Sequence, residues 1–157
     1  KTFGILSTVS SKNKAHATGI LYGVAPSDAR FSIYLLTMQS YRKVANVKSN
    51  PAVSFVIPFP HYLRFIPSSC VQFQGTAEII QYDDLEAQKV FNQKRILKMM
   101  LDQVNHLNMK EEAVFIKIKP RGKIFCYGIG ISLIRLMRHI EAGSYSVLIP
   151  PERLYLS

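Results

Sequence analysis

Tryptophan is absent from the chain, and cysteine occurs only at Cys70 and Cys126. Two distant cysteines with no CxxC spacing exclude a disulfide framework and a zinc ribbon, so each is read as a small core residue. The four histidines, His16, His61, His106 and His139, fall in no HExxH or paired arrangement, and no metal site is expected. No uninterrupted apolar run approaches the ~20 residues of a spanning helix, and no secretory signal opens the sequence. The expectation is therefore a cytoplasmic protein with no membrane partner. Acidic residues are scarce: ten Asp plus Glu stand against twenty Lys plus Arg, a formal charge of +10. That excess suits phosphate esters, nucleic acid or an anionic surface without choosing among them. Internal repeats and low-complexity segments are also missing.

Core-forming material is plentiful. Hydrophobic residues make up 48% and charged residues 19% of the 157 positions, which fits a single folded domain over 1–157. Phe3 to Val9 is a short apolar, β-branched run closed by Ser10-Ser11-Lys12-Asn13, predicting a strand and a hairpin turn. A second strand is expected from Ala15 to Val24 and, past Pro26-Ser27-Asp28, a third from Arg30 to Thr37. Val44 and Val47, one helical turn apart and followed by Asn50-Pro51, predict a short helix over Tyr41 to Ser49. Strand character returns from Ala52 to Ile57, broken by Pro58 and Pro60. It resumes from Cys70 to Gln81, where Gly75 marks a bulge or a close backbone approach.

Asp83 with Glu86 three residues on has the form of a capping box, and Val90, Leu97, Leu101 and Val104 keep helical spacing behind it. One helix from about Asp83 to Val104 follows. Val114 to Phe125 sorts Ile116, Ile118 and Ile124 onto one face and Lys117, Lys119, Arg121 and Lys123 onto the other, with a bend expected at Pro120-Arg121-Gly122. Residues 131–157 are read as an amphipathic helix over Ile131 to Ile140, with Leu133, Ile134, Leu136, Met137 and Ile140 inward, then an extended tail from Ser144 to Leu156. The order β-β-β-α-β-β-α-β predicts an α+β domain, a mostly antiparallel, barrel-like sheet with two or three peripheral helices.

The stretch richest in chemistry is Thr37-Met38-Gln39-Ser40-Tyr41-Arg42-Lys43, where a strand gives way to a helix. A helix start offers unpaired N–H groups and a partial positive charge, Arg42 and Lys43 add full charges, and Thr37 and Ser40 add hydroxyls, all of which suit a phosphate monoester. As an isolated string, it reads equally well as a capping serine followed by two solvated cations.

In its wider setting the segment decides more. Taken with Thr18-Gly19-Ile20-Leu21-Tyr22-Gly23, Phe31 to Thr37 and the run from Tyr41 through Asn50-Pro51 to Val53, it resembles the FMN-binding split-barrel family typified by pyridoxamine 5′-phosphate oxidase. There, a strand ending in Thr leads to an Arg-Lys pair and a helix closing with Asn-Pro. The likeness is strongest over Phe3 to Gln81. It implies an FMN-binding split β-barrel in which Arg42 and Lys43 bind the flavin phosphate, assisted by Thr37 and by Tyr41 or Ser40. The ring would lie against the backbone of Gly19, Ile20 and Leu21, with Thr18 and His16 near its polar edge. A homodimer with the flavin at its interface is implied, as is an FMN-dependent oxidoreductase acting on a small molecule or a nicotinamide donor.

Three departures argue against vitamin B6 oxidation itself. Ala17 and Tyr22 stand where the oxidase has Arg and Lys, Cys70 falls where it carries a flavin-contacting Gln, and no Arg-x-His motif lies between Phe125 and Ser157. The flavin performs the redox step in such proteins, so no catalytic side chain is nominated. Tyr22, Cys70 and Tyr127 are candidates to line a substrate pocket, with core packing as the plainer role. The fold also serves deazaflavin-dependent reductases and haem-binding proteins, which leaves deazaflavin and haem as alternative ligands. A further alternative is a non-catalytic module using the basic row Lys117, Lys119, Arg121 and Lys123 for nucleic acid or an anionic surface. No RNA-recognition motif or aromatic platform accompanies that row, so no specific nucleic acid is expected.

Overall fold

The computed structural model describes residues 1–59, 69–130, 134 and 138–155. β1 (Phe3–Val9) and β2 (Ala15–Leu21) form the opening hairpin, in whose turn Asn13 takes a φ of 57°, a left-handed conformation that asparagine tolerates. Only Tyr22 separates β2 from β3 (Gly23–Val24), and its amide donates to the Thr2 carbonyl at 2.7 Å. The expected Ala15–Val24 strand is thus divided: β2 pairs with β1, and β3 pairs with β4 (Ile33–Met38). Next come α1 (Arg42–Ser49), β5 (Ala52–Phe59), β6 (Ser69–Gln81), α2 (Leu85–Asn92), α3 (Arg95–His106), β7 (Ala113–Tyr127) and β8 (Ser144–Leu148). Every pairing is antiparallel, in the order β2-β1-β5-β6-β7-β4-β3, with β8 on the second half of β7. Since β2 and β3, the two ends of that path, are successive pieces of one run of chain, the sheet curls back on itself as an α+β split barrel. The split lies where β2 and β4 face each other without pairing.

Strand periodicity explains the two cores. Inside the barrel, Leu6, Ile33, Leu35, Phe55, Phe73, Ile116 and Ile118 pack together, and Val44 and Val47 of α1 join them. The opposite faces of β4 and β7 carry Tyr34, Leu36, Ala113 and Phe115, which α2 and α3 cover with Val90, Phe91, Leu97 and Leu101. Burial on both sides is why β4 reads as a continuous apolar run rather than an alternating one. Phe115 anchors the outer layer, with Tyr82 stacked on it at 5.9 Å and Phe91 meeting it edge-on at 5.0 Å.

Several boundaries differ from expectation for identifiable reasons. The strand predicted from Arg30 starts at Ile33, because Ala25 to Phe31 form a loop tied to the tail: the Phe31 amide donates to the Arg153 carbonyl at 2.8 Å. β5 continues through Pro58 because the β1 pairing stops at Val56, leaving an edge where a missing N–H is tolerated. The long helix is two, broken where four consecutive polar residues, Asn92 to Arg95, interrupt the apolar stripe and Lys94 turns extended. Its cap is Asp84, accepting from the Ala87 amide at 2.9 Å, rather than Asp83. Gly75 is a close approach, since a Cβ there would lie 2.4 Å from the Lys119 carbonyl oxygen. The bend at Pro120 to Gly122 is present: Phe73 opposes Ile124 while Gly75 opposes Pro120, so β7 carries extra residues there. Most of the helix expected over Ile131 to Ile140 lies outside the described residues, and Ile134, expected inward, is 67% exposed. The extended tail adds β8 to the sheet by pairing with β7.

Candidate functional site

The split brings most of the nominated residues together. β2 is paired only to β1, so the backbone from Ala15 to Leu21 turns an unpaired edge of N–H and C=O groups towards the gap. The end of β4 stands across from it and α3 closes the remaining side. Between them is a cleft of about 500 Å³ lined by Phe3, Gly19, Ile20, Leu21, Thr37, Met38, Tyr41 and Lys43, with Met100, Gln103, Leu107 and Met109 from α3 and the loop after it. The walls are mainly apolar and the volume is that of a small-molecule site, ~300–1,000 Å³.

Its polar features are few. Thr37 is 6% exposed, and its Oγ1 has no hydrogen-bond partner among the described residues. A buried hydroxyl left unpaired costs about 1–3 kcal/mol, so something outside the chain has reason to meet it. Desolvation by the cleft walls holds the Lys43 ammonium below the usual lysine range, and its Nζ sits 5.1 Å from the centre of the Tyr41 ring. The cap position of α1 is Tyr41, with Ser40 in the turn before it. No side chain among the described residues caps this helix, and no acidic residue lies in its first turn. The first amides of α1 are therefore open to an anion.

Of the nine nominated ligand contacts, Gly19, Ile20, Leu21, Thr37, Tyr41 and Lys43 line this cleft, whereas Thr18, Ser40 and Arg42 do not. Arg42 and Lys43 line different clefts, as successive helical residues point about 100° apart. Arg42 instead shares a second cleft of about 350 Å³ with Ser10, Lys14, Ala15, His16 and Asn46. Tyr22 is a core residue, 4% exposed and edge-on to Phe55 at 5.4 Å, and Cys70 faces Tyr127 across β6 and β7, away from the cleft. Sequence reasoning missed the α3 wall. Met100, Val104 and Leu107 keep helical spacing there, but so does a plain core stripe, and nothing local distinguishes the two.

The basic row separates into two parts. Lys117 bonds Glu86 at 3.0 Å and Lys119 bonds Glu78 at 2.6 Å, so these two are neutralised by partners. Arg121 and Lys123, at the bend, line a groove of about 640 Å³ on the outer face of the sheet with Gln74 and Phe125. Among the described residues no cluster of His, Cys, Asp or Glu could hold a metal, and no helix is long and apolar enough to cross a membrane.

A curled antiparallel sheet with an apolar cleft at its split defines the class, an α+β split barrel. The family can then be stated: the pyridoxamine 5′-phosphate oxidase model matches residues 1–123, and the chain belongs to that family. No curated protein matches it. Among solved structures, it is similar to HutZ, the haem storage protein of Vibrio cholerae, with a TM-score of 0.65 and 17% identity over 82% of this chain and 88% of that one. It is also similar to a haem-binding protein of Mycobacterium smegmatis, with a TM-score of 0.67 and 14% identity over 94% of this chain and 53% of that one. An FAD-binding protein of Mesorhizobium loti gives a TM-score of 0.56 and 19% identity over 79% and 82% of the two chains. At these identities the likeness is one of fold.

Proposed function

We propose that this protein binds FMN in the cleft at the split and is an FMN-dependent oxidoreductase acting on a small molecule or a nicotinamide donor. The observation that carries the reading is the buried, unpartnered Thr37 hydroxyl, set in an apolar slot between an unpaired strand edge and a desolvated lysine. Those features fit a flavin. Its flat ring needs apolar walls, supplied by Phe3, Ile20, Leu21 and the methionines, and its polar edge needs backbone groups such as those of Gly19 to Leu21. Its phosphate needs a cation and free amides, available from Lys43 and the start of α1. A bound flavin would supply hydride or electron transfer, while these residues orient it and exclude water.

Haem is less well served, because the described residues that line the cleft include no histidine or cysteine and leave an axial bond to Tyr41 or a methionine. Deazaflavin shares the ring shape and is separated by its absorption spectrum. The direct test is the visible spectrum of freshly purified protein followed by titration of the apo-protein with FMN. A flavin spectrum and saturable binding that weakens in Thr37→Val and Lys43→Met support the assignment. Binding indifferent to both substitutions would overturn it.

The outer face of the sheet supports a homodimer in the same reading. Ile5, Val56, Gln72 and Phe125 form one cross-strand row and Ser7, Ser54 and Gln74 the next, all uncharged, with Phe125 49% exposed. This face adjoins Phe3 and Gly19 at the cleft, so a second copy laid on it would cover the flavin.

A further inference from the structure

Leu97 and Leu101 bury one side of α3 against the sheet, yet the helix carries a second apolar stripe beside it. Ile96, Met99, Met100, Gln103 and Leu107 stand at i, i+3, i+4, i+7 and i+11, the spacing of one helical face. Met100, Gln103 and Leu107 of that stripe line the cleft. Its outward part is bare, with Ile96, Met99 and Leu107 each about half exposed. Single exposed apolar side chains are ordinary, whereas a row of them along one helix marks a contact surface.

The charges at the start of α3 are all positive. Lys94, Arg95 and Lys98 are exposed, and none is in an ion pair among the described residues, unlike Lys117 and Lys119 with their glutamates. Asp102 is the one carboxylate in the helical sequence. At about 100° per residue, Arg95 lies about 40° round the axis from Met99 and Lys98 about 100°, so cations border one flank of the stripe. Their long stems let the charged ends reach a surface that lies against Met99.

This combination fits lipid better than protein. Ile96 and Met99 offer apolar bulk without directional bonds or an aromatic anchor, which suits a fluid apolar phase more than a specific protein pocket. The unpaired cations complement anionic headgroups. The surface is also distinct from the one assigned to a second copy: α3 covers β4 and the first half of β7, whereas the row from Ile5 to Phe125 spans β1, β5, β6 and the second half of β7.

We infer that α3 seats this protein on an anionic lipid bilayer, with Ile96 and Met99 at the acyl boundary and Lys94, Arg95 and Lys98 among the headgroups. A helix of this kind lies in the plane of the surface and needs none of the long apolar runs of a spanning one. Because the stripe leads into the cleft through Met100, Gln103 and Leu107, the docked protein holds the cleft mouth at the lipid boundary. Docking is independent of which ligand the cleft holds.

The test is co-sedimentation of the full chain with vesicles of phosphatidylcholine alone, or of phosphatidylcholine mixed with phosphatidylglycerol, at low and raised salt. The protein should pellet with the mixed vesicles only and be released as salt rises. Arg95→Gln with Lys98→Gln should weaken this partition about thirtyfold, at about 1 kcal/mol for each cation near the surface. Ile96→Gln with Met99→Gln should weaken it about tenfold or more by removing apolar area. Leu148→Gln, at an exposed apolar position on β8, should bind like the wild type. All these positions are exposed, so thermal melts and FMN titrations should match the wild type, and a negative vesicle result leaves the flavin reading untouched. Binding to neither vesicle, equal binding to both, an unaffected Ile96/Met99 variant or an equally weakened Leu148 variant each sinks the inference. If no vesicle is bound and the Ile96/Met99 variant splits a dimer seen by light scattering, the stripe joins two copies instead.

Discussion

At the scale of single residues, the site is marked by groups that cost the folded chain something. Thr37 buries a hydroxyl with no partner among the described residues, so Thr37→Val should leave the apo-protein as stable as before or more stable by up to ~1 kcal/mol. The same change should weaken FMN binding several-fold. Thermal melts of apo-protein set beside FMN titrations would read both, and an apo-protein destabilised by more than 1 kcal/mol would show that the hydroxyl already has a partner within the fold. Lys43 behaves similarly. Its pKa is lowered by burial from 10.5, so between the lowered value and 10.5 the unfolded chain holds more protons than the folded one. Apo-protein stability carried by this group should therefore rise with pH across that window, and Lys43→Met should flatten the rise while costing about 1.5–3 kcal/mol of FMN binding. Urea unfolding at successive alkaline pH values would show whether the slope belongs to Lys43.

At the scale of elements, the observed caps and bends make distinct claims. Asp84 caps α2 and Asp83 does not, so Asp84→Ala should cost about 1 kcal/mol while Asp83→Ala should cost close to nothing, measured as the urea midpoint at constant slope. Equal effects would favour the capping box read from the sequence. Gly75 lets β6 and β7 approach at the bend, and the atom a new Cβ would meet is backbone, which cannot swing aside. Gly75→Ala should cost about 1–3 kcal/mol by overpacking. These elements were legible to different degrees. β1 and the α1 region followed from local pattern because each depends on neighbours only a few residues away. The break between α2 and α3 was obscured because Val90, Leu97 and Leu101 keep a helical spacing that spans it.

At the scale of the whole molecule, curling of the sheet creates both the split and an outer face next to it whose rows from Ile5 to Phe125 and from Ser7 to Gln74 are uncharged. If that face joins two copies, light scattering should give twice the chain mass, and Val56→Lys should yield a monomer with weakened FMN binding. A monomeric wild type that holds FMN at full affinity would separate the cleft from any interface. The basic row read from the sequence, by contrast, is divided. Lys117 and Lys119 are paired, Arg121 and Lys123 lie at the bend, and Lys43 and Arg42 turn into separate clefts.

The amino-acid sequence alone determined the strand-rich α+β class, the short helix behind Thr37 and the family likeness, because periodicity, turn residues and the Thr…Arg-Lys…Asn-Pro spacing are written along the chain. It also brought Gly19 to Leu21 and Thr37 to Lys43 forward as candidates. Only the tertiary structure decided that Met100, Gln103 and Leu107 wall the same cleft, and that Arg42 lines a neighbouring one with Lys14 and His16. Those relations arise from closure of the sheet and from the rotation of one helix about its axis. Both depend on contacts between distant residues that no short window of sequence contains.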